Sequence, residues 1–294
     1  MGRFRESLEK GFTVTVEIPP PKGADASSFL KVARAVRDRV AGVNVTDNQR
    51  GMMRMSSLAF SHLLLDVGAE PIWQVCCRDR NRLALQSDML GAWALGVENL
   101  CIMTGDFPTL GDNPQAKPVY DLDAVQLVRA ADQFSKGIAM NGKEIREHRD
   151  FYIGAVMNPF YEPLELEVMK TRKKAAAGAR FFQTQPFFDL AAVDNFLAGV
   201  KGTDAKFLIG ITPLRSEKMI NFLNLNVLTT PIPEEVSRRI VCAADPEKEG
   251  LKVAAEFANA VRDRVDGVHL MPIGQVDNIP LLLDMMDEGK SSGR

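Results

Sequence analysis

Histidine and cysteine, which build many catalytic and metal sites, are scarce: the 294 residues include three histidines and four cysteines. Cys76, Cys77, Cys101 and Cys242 show no CxxC spacing, and His62, His148 and His269 form no triad or ligand set. A metal site or a nucleophilic triad built by this chain is therefore not expected. Cys76 and Cys101 lie in apolar runs, so the cysteines read as small core residues of a reduced, cytoplasmic chain. A surplus of one charge is also missing. Thirty-six Lys and Arg face 38 Asp and Glu, a net of -2. No basic tract points to nucleic acid. No apolar run approaches a membrane span, and MGRFRESLEKGF has no apolar stretch of the kind a signal peptide needs. The Gly-rich GxGxxG turn of a dinucleotide-binding sheet is absent after the first strand, where IPPPKG stands instead.

What is present is a regular alternation. Strand-like runs occur at 13–18, at GVNVT ending on Thr46, and at 71–76, 99–104, 151–156, 180–185, 206–211 and 267–273. Helical patterns lie between them. One runs over 27–40 with Phe29, Val32, Ala33, Val36 and Val40 on one face; others cover 52–67 and 81–95, and one opens near Asp121. Met52, Met53 and Met55 read as the core face of the second. Eight strand–helix units in this length predict a parallel sheet closed into a single (β/α)8 TIM barrel, one domain over 1–294. AVRDRVAGV (35–43) and AVRDRVDGV (260–268) each run from a helix end into a strand. They read equally as an internal repeat or as one good linker used twice.

In such a barrel the active site forms where strands end, and polar residues gather there. Glu17 ends strand 1, and Thr46, Asp47 and Asn48 end strand 2. Gln74 lies in strand 3, with Arg78, Asp79 and Asn81 after it. Thr104, Gly105 and Asp106 end strand 4, Gln183 and Gln185 end strand 6, Thr212 ends strand 7, and Gln275 follows strand 8. Each also has a plainer reading. Glu17 could form a rim salt bridge. TGD could be a turn in which Gly105 supplies a positive φ and Asp106 an Asx hydrogen bond. KTRKKAAAGAR (170–180) reads as a solvated basic helix face with a lysine able to meet a phosphate.

VEIPPP after the first strand, VNVTDNQRG at the second, TGDFP at the fourth, KPVYDLD opening the next helix and FFQTQPFFD at the sixth occur in that order. Together they resemble the methylenetetrahydrofolate reductase family over roughly 12–285. CRDRNRLALQSDMLGAWALGVENL (77–100) is similar to the branch found in anaerobic bacteria and archaea. The resemblance implies a (β/α)8 barrel and a noncovalent flavin, FAD with FMN as the alternative. It implies reduction of 5,10-methylenetetrahydrofolate to 5-methyltetrahydrofolate. It makes Glu17 and Asp106 catalytic and puts substrate contacts on Gln185, Thr46 and Gln275. Flavin contacts fall on Thr46, Gln74, Thr104, Gly105, Asp106, Tyr120, Asp121 and Lys174. The chemistry suits these types: ring opening needs a proton at N10, which a carboxyl group can give, and favours an anion beside the iminium cation.

The chain departs from the family pattern at Gln74, where histidine is frequent, and at Asp47, where an aromatic residue is usual. The arginine of the last loop aligns with Gln275, and TPLRSEKMINF offers no clear match to the aromatic beyond strand 7. The implied reductant is therefore NAD(P)H or a partner subunit carrying iron–sulfur and zinc centres, and the substrate's glutamate tail falls to Arg215 or Lys218. Self-association into a homo-oligomer is open. Three other readings stand beside this one: a flavin-independent reductase, a lyase acting on a phosphorylated substrate, and a non-catalytic flavin- or folate-binding subunit.

Overall fold

The computed structural model describes residues 2–291. The chain order is α1 (Arg3–Lys10), β1 (Thr13–Glu17), α2 (Ser27–Val36), β2 (Gly42–Val45), α3 (Ser57–Asp66), β3 (Pro71–Cys76), α4 (Arg82–Ala94), β4 (Asn99–Met103), α5 (Ala124–Ser135), β5 (Tyr152–Met157), α6 (Leu164–Ala177), β6 (Phe181–Pro186), α7 (Leu190–Val200), β7 (Lys206–Ile211), α8 (Glu217–Asn226), α9 (Glu234–Val241), α10 (Pro246–Ala260), β8 (Gly267–Leu270) and α11 (Ile279–Ser291). The eight strands pair in parallel in sequence order, and β8 closes onto β1. This is the (β/α)8 barrel that the alternation predicts. Among the described residues, no helix is long and apolar enough to cross a membrane.

Strand alternation sorts the side chains into two layers. Val16, Val43, Val45, Trp73, Ile102, Phe182, Ile209 and Val268 belong to one large buried cluster with the apolar faces of the helices. Helix starts are fixed by side chains at the strand-to-helix turns. Asn81 accepts from Leu83 N and Ala84 N, Asp123 forms a capping box with Gln126, and Asp189, Ser216 and Asp245 cap α7, α8 and α10.

At the end where strands begin, α1 plugs the barrel. Phe4 and Leu8, one turn apart on α1, pack with Ile72, Cys101, Tyr152, Phe181 and Leu208. The Phe4 ring meets Phe181 edge-on at 5.0 Å and Tyr152 at 5.8 Å. Gly154 is required here, because a Cβ would run into the Phe181 ring. The sequence pattern alone assigns no element to this charged N-terminal stretch.

Several boundaries differ from expectation. Met52, Met53 and Met55 precede α3 instead of lining it. Asn48 and Arg50 are left-handed, and Ser56 caps the helix by accepting from Ala59 N. Met53 is 56 % exposed. The helix expected over 27–40 ends at Val36, and the last strand ends at Leu270, just before Pro272, which has no N–H to give. Cys242 is not a core residue: it follows α9 and is exposed, whereas the other three cysteines are buried. Burial pushes the Cys101 thiol up to about 12, which suits an inert packing role. The two AVRDRV copies do occupy matching positions, each joining a helix end to a strand that opens on glycine.

Candidate active site

Glu17, the last residue of β1, is 7 % exposed. Its Oε1 accepts from Gln49 Nε2 at 3.5 Å, and its Oε2 lies 3.9 Å from His269 Nε2. His269 is buried, and its Nδ1 is 3.0 Å from Thr15 Oγ1. The register explains the cluster. Thr15 pairs with His269 across β1 and β8, and the two-residue period puts Thr15 and Glu17 on the same face. Glu17 thus caps a polar column, Thr15–His269–Glu17, rather than a surface salt bridge. Sequence reasoning sets His269 aside because it lies inside a strand and no histidine makes a triad or a metal set. The available signal was a polar residue between Val268 and Leu270 in a strand whose neighbours face the helices.

Across the barrel, Asn44, which pairs in register with Glu17, and Gln183 exchange two amide hydrogen bonds of 2.5 and 3.0 Å, and Cys101 Sγ adds a contact to Gln183 Oε1 at 3.4 Å. Both amides are buried, and the reciprocal pairing is what makes their burial tolerable.

The loops after β2, β3 and β4 are tied together by Arg78, which is 2 % exposed. It holds both Asp79 carboxylate oxygens at 2.7 Å and donates to the carbonyls of Asp106, Asp47 and Asn48. Burial works against the Asp79 charge, but the bonds to Arg78 outweigh it and hold that carboxyl below the usual range. Asp47 accepts from Cys76 N and Ser57 Oγ and pairs with Arg80, which also holds Asp88. Trp73 Nε1 donates to the same Ser57 hydroxyl. Asp47, standing where the family has an aromatic, is thus a structural anion. None of these roles was assigned from sequence.

TGD behaves as a turn in one respect: Gly105 has φ +88°, and a Cβ there would meet Cys76 Cβ at 3.0 Å. The expected Asx bond is replaced by a longer-range one, since Asp106 Oδ2 accepts from Arg50 N at 3.0 Å. Thr104 and Asp106 are exposed at the mouth. Tyr120 Oη donates to the carbonyls of Gly105 and Asp106 at 3.1 and 3.3 Å. Thr46 and Thr212 hydroxyls are buried with no partner within the protein.

Other expected contacts lie apart from this group. Asp121 pairs with Arg82, which holds its carboxyl down to about 2. Lys174 is buried between α6 and the sheet: Nζ donates to Val156 O at 2.7 Å and sits 5.9 Å from the Phe182 ring centre. Burial lowers its ammonium below the ordinary range against the opposing field of Glu167. Gln275 Nε2 donates to Glu247 Oε1 at 3.3 Å. Arg215 donates to Gly274 O at 3.1 Å, and both Arg215 and Lys218 are exposed. Gln74 is buried in β3. Gln185 is exposed at the end of β6, where the register with β7 shifts between Gln183 and Pro186 and so re-aims the strand end.

Comparison with known proteins agrees with this architecture. A family model described as methylenetetrahydrofolate reductase matches residues 3–287. A 5,10-methylenetetrahydrofolate reductase from Pectobacterium carotovorum subsp. carotovorum is 22 % identical over 218 residues, 72 % of this chain and 68 % of that protein. Among solved structures, an uncharacterized protein from Clostridium thermocellum, described as binding two copies of 5-methyl-5,6,7,8-tetrahydrofolic acid, superposes with TM-score 0.67. It is 13 % identical and covers 98 % of this chain and 99 % of its own. Tryptophan synthase from M. tuberculosis shares the fold at TM-score 0.56, 13 % identity and 98 % coverage of both chains. The match over nearly the whole length, on a closed barrel with a carboxyl group at the end of its first strand, makes this chain an oxidoreductase of the methylenetetrahydrofolate reductase family.

Proposed function

We propose that the chain reduces 5,10-methylenetetrahydrofolate to 5-methyltetrahydrofolate with a bound flavin, as part of one-carbon metabolism. The observation that carries this reading is Glu17, a nearly solvent-free carboxyl group at the barrel mouth, backed by a buried imidazole and a hydroxyl. Family membership and the folate described in the C. thermocellum neighbour support the substrate class.

The rim residues fit a flavin, FAD with FMN as the alternative. The Thr46 hydroxyl is buried without a protein partner, which suits the hydrogen-bonding edge of a flavin ring. Thr46, Gln74, Thr104, Gly105, Asp106 and Tyr120 would hold the group. Asp121 and Lys174 would first have to leave Arg82 and the Val156 carbonyl. When bound, the flavin supplies hydride to the methylene carbon.

The chain's own residues handle the proton and the charge. Glu17 in its protonated form gives a proton to N10 as the five-membered ring opens. His269, whose Nδ1 meets the Thr15 hydroxyl, stands behind Glu17 with its Nε2 3.9 Å from Oε2, and Glu17 recovers its proton from water between turnovers. Asp106, as a carboxylate, favours the cationic iminium at N5. Gln185 offers both a donor and an acceptor to the pterin edge. One hydride and one proton enter, and the methylene becomes methyl.

The test uses purified protein loaded with FAD. Methylenetetrahydrofolate should reoxidise the reduced flavin. Glu17→Gln should keep flavin reduction and folate binding while losing folate turnover by about 10²–10⁴-fold. Equal loss of both half-reactions would make Glu17 structural. Protein that neither holds flavin nor responds to folate would remove the reading altogether.

A further inference from the structure

The outer wall of the barrel is not uniformly charged. α9 turns Glu234, Glu235, Arg238 and Arg239 to solvent within eight residues. α4 is different. Its inner face buries Leu85, Met89, Ala92 and Trp93. Its outer face is Leu83, Ser87, Leu90 and Ala94, all exposed, with Leu83 at 71 % and Leu90 at 47 %. The charged residues of this helix, Arg82 and Asp88, stand off that stripe and are matched within the chain by Asp121 and Arg80. A helix that is apolar on both faces is normally a covered one.

The surroundings of the stripe are similar. On one side lies α3, which holds no Lys, Arg or Glu and a single Asp, Asp66. A Cβ on Gly91 would sit 3.6 Å from Leu58 of α3, and one on Gly96 would sit 3.6 Å from Leu65. His62, one turn from Leu58, has its Nδ1 buried with no protein partner. On the other side, the segment after α5 is tied to α4, because Met140 N donates to Gln86 Oε1 at 2.9 Å. That segment adds Ile138, 43 % exposed. A stable interface takes about 800 Å² from each partner. One helix stripe is narrow for that, and the two flanks widen it.

We infer that α4 is the seam of a two-fold dimer of this chain, with the two α4 helices antiparallel. Positions 83, 87, 90 and 94 follow the four-three-four spacing of a coiled-coil seam. The composition of the stripe selects a second copy as its occupant. About a two-fold axis between Ser87 and Leu90, Leu83 meets the other copy's Ala94, and Leu90 meets the other copy's Ser87. Each large side chain then faces a small one. A parallel pairing would set leucine on leucine and leave Ser87 and Ala94 facing themselves across a gap. The charges at the ends are complementary too. Arg82 opens the stripe, and Glu98, exposed and in no ion pair among the described residues, lies just past its other end. Antiparallel packing brings each Arg82 toward the other copy's Glu98 and opposes the helix dipoles. Because α4 runs from the mouth toward the sealed end, the two mouths open in opposite directions and neither covers the other. The inference is independent of the folate reading.

The test is sedimentation of the purified full chain in a Cys242→Ser background, since that thiol is exposed. The parent chain should be a dimer at micromolar concentration. Leu83→Asp combined with Leu90→Asp should weaken the dimer by at least about a hundredfold and give a monomer that is still folded by circular dichroism. Ser87→Arg, at an exposed position, should also give monomer, and it keeps the inference testable if the double variant fails to fold. Oxidation reads the orientation. Leu83→Cys combined with Ala94→Cys should form a disulfide between copies. Leu83→Cys alone should not, because the two copies of that position stand about 17 Å apart along the seam. A monomeric parent chain, or a dimer that these charged variants leave intact, overturns the inference. A larger assembly that they split at this face supports it. Equal cross-linking by Leu83→Cys alone overturns the antiparallel order.

Discussion

The two ends of the barrel are built on opposite principles. Where the strands begin, α1 closes the opening with Phe4 and Leu8 against Tyr152 and Phe181, and the interior is apolar and tightly filled. Where the strands end, the interior holds Glu17, His269, Asp47 and Arg78 nearly out of solvent. Several polar atoms there, on Thr46, Thr212 and Arg50, have no partner. Burying such groups costs about 1–3 kcal/mol each, so the mouth is the less stable half. The sealed end supplies the stability that lets the other end keep groups unsatisfied for a ligand.

Substitutions at the two ends should therefore separate rate from stability. The largest effect in rate is that of Glu17→Gln, described above, with little change in the urea midpoint. The largest effect in stability is at the other end: Phe4→Ala should cost about 3–5 kcal/mol, read as a lower urea midpoint, while KM for the folate stays within twofold. A parallel fall in folate affinity would mean that the two ends are coupled. Between them lies the amide pair. Gln183→Leu leaves the Asn44 amide buried without its partner and should cost about 1–3 kcal/mol in the same measurement.

The smallest effect belongs to the exposed Asp121–Arg82 pair. The folded state holds Asp121 down to about 2 from an ordinary 3.8, so its contribution is present above that ordinary value. It is lost as pH falls through the folded value. The difference in melting temperature between wild type and Asp121→Asn should be visible near neutral pH and close by about pH 2. A constant gap down to that pH would show that the pair acts through packing and not through charge.

Much of this was legible in the chain because it depends on local periods. Strand alternation and strand ends gave the barrel, and they put Glu17 and Asp106 at one rim. What escaped depends on register and on long-range contact. The link between His269 and Glu17 exists only because β8 pairs with β1. α1 escaped because two apolar residues on a charged helix make a weak pattern, and its partners come from five different strands. Lys174 reads as a solvated basic residue until the Val156 carbonyl is seen to receive it. The methionines before α3 misled because their apolar character extended the helical pattern past the Ser56 cap.

Arg78 carries a consequence for how this barrel can vary. Loops at the mouth of such a fold are commonly treated as interchangeable parts, each free to lengthen or to be replaced without regard to the next. Here one side chain from the β3 loop grips backbone carbonyls of the β2 and β4 loops. Those three segments form a single inheritable unit. An insertion in any one moves an acceptor away from the shared guanidinium, so natural variants and grafted designs must exchange all three together.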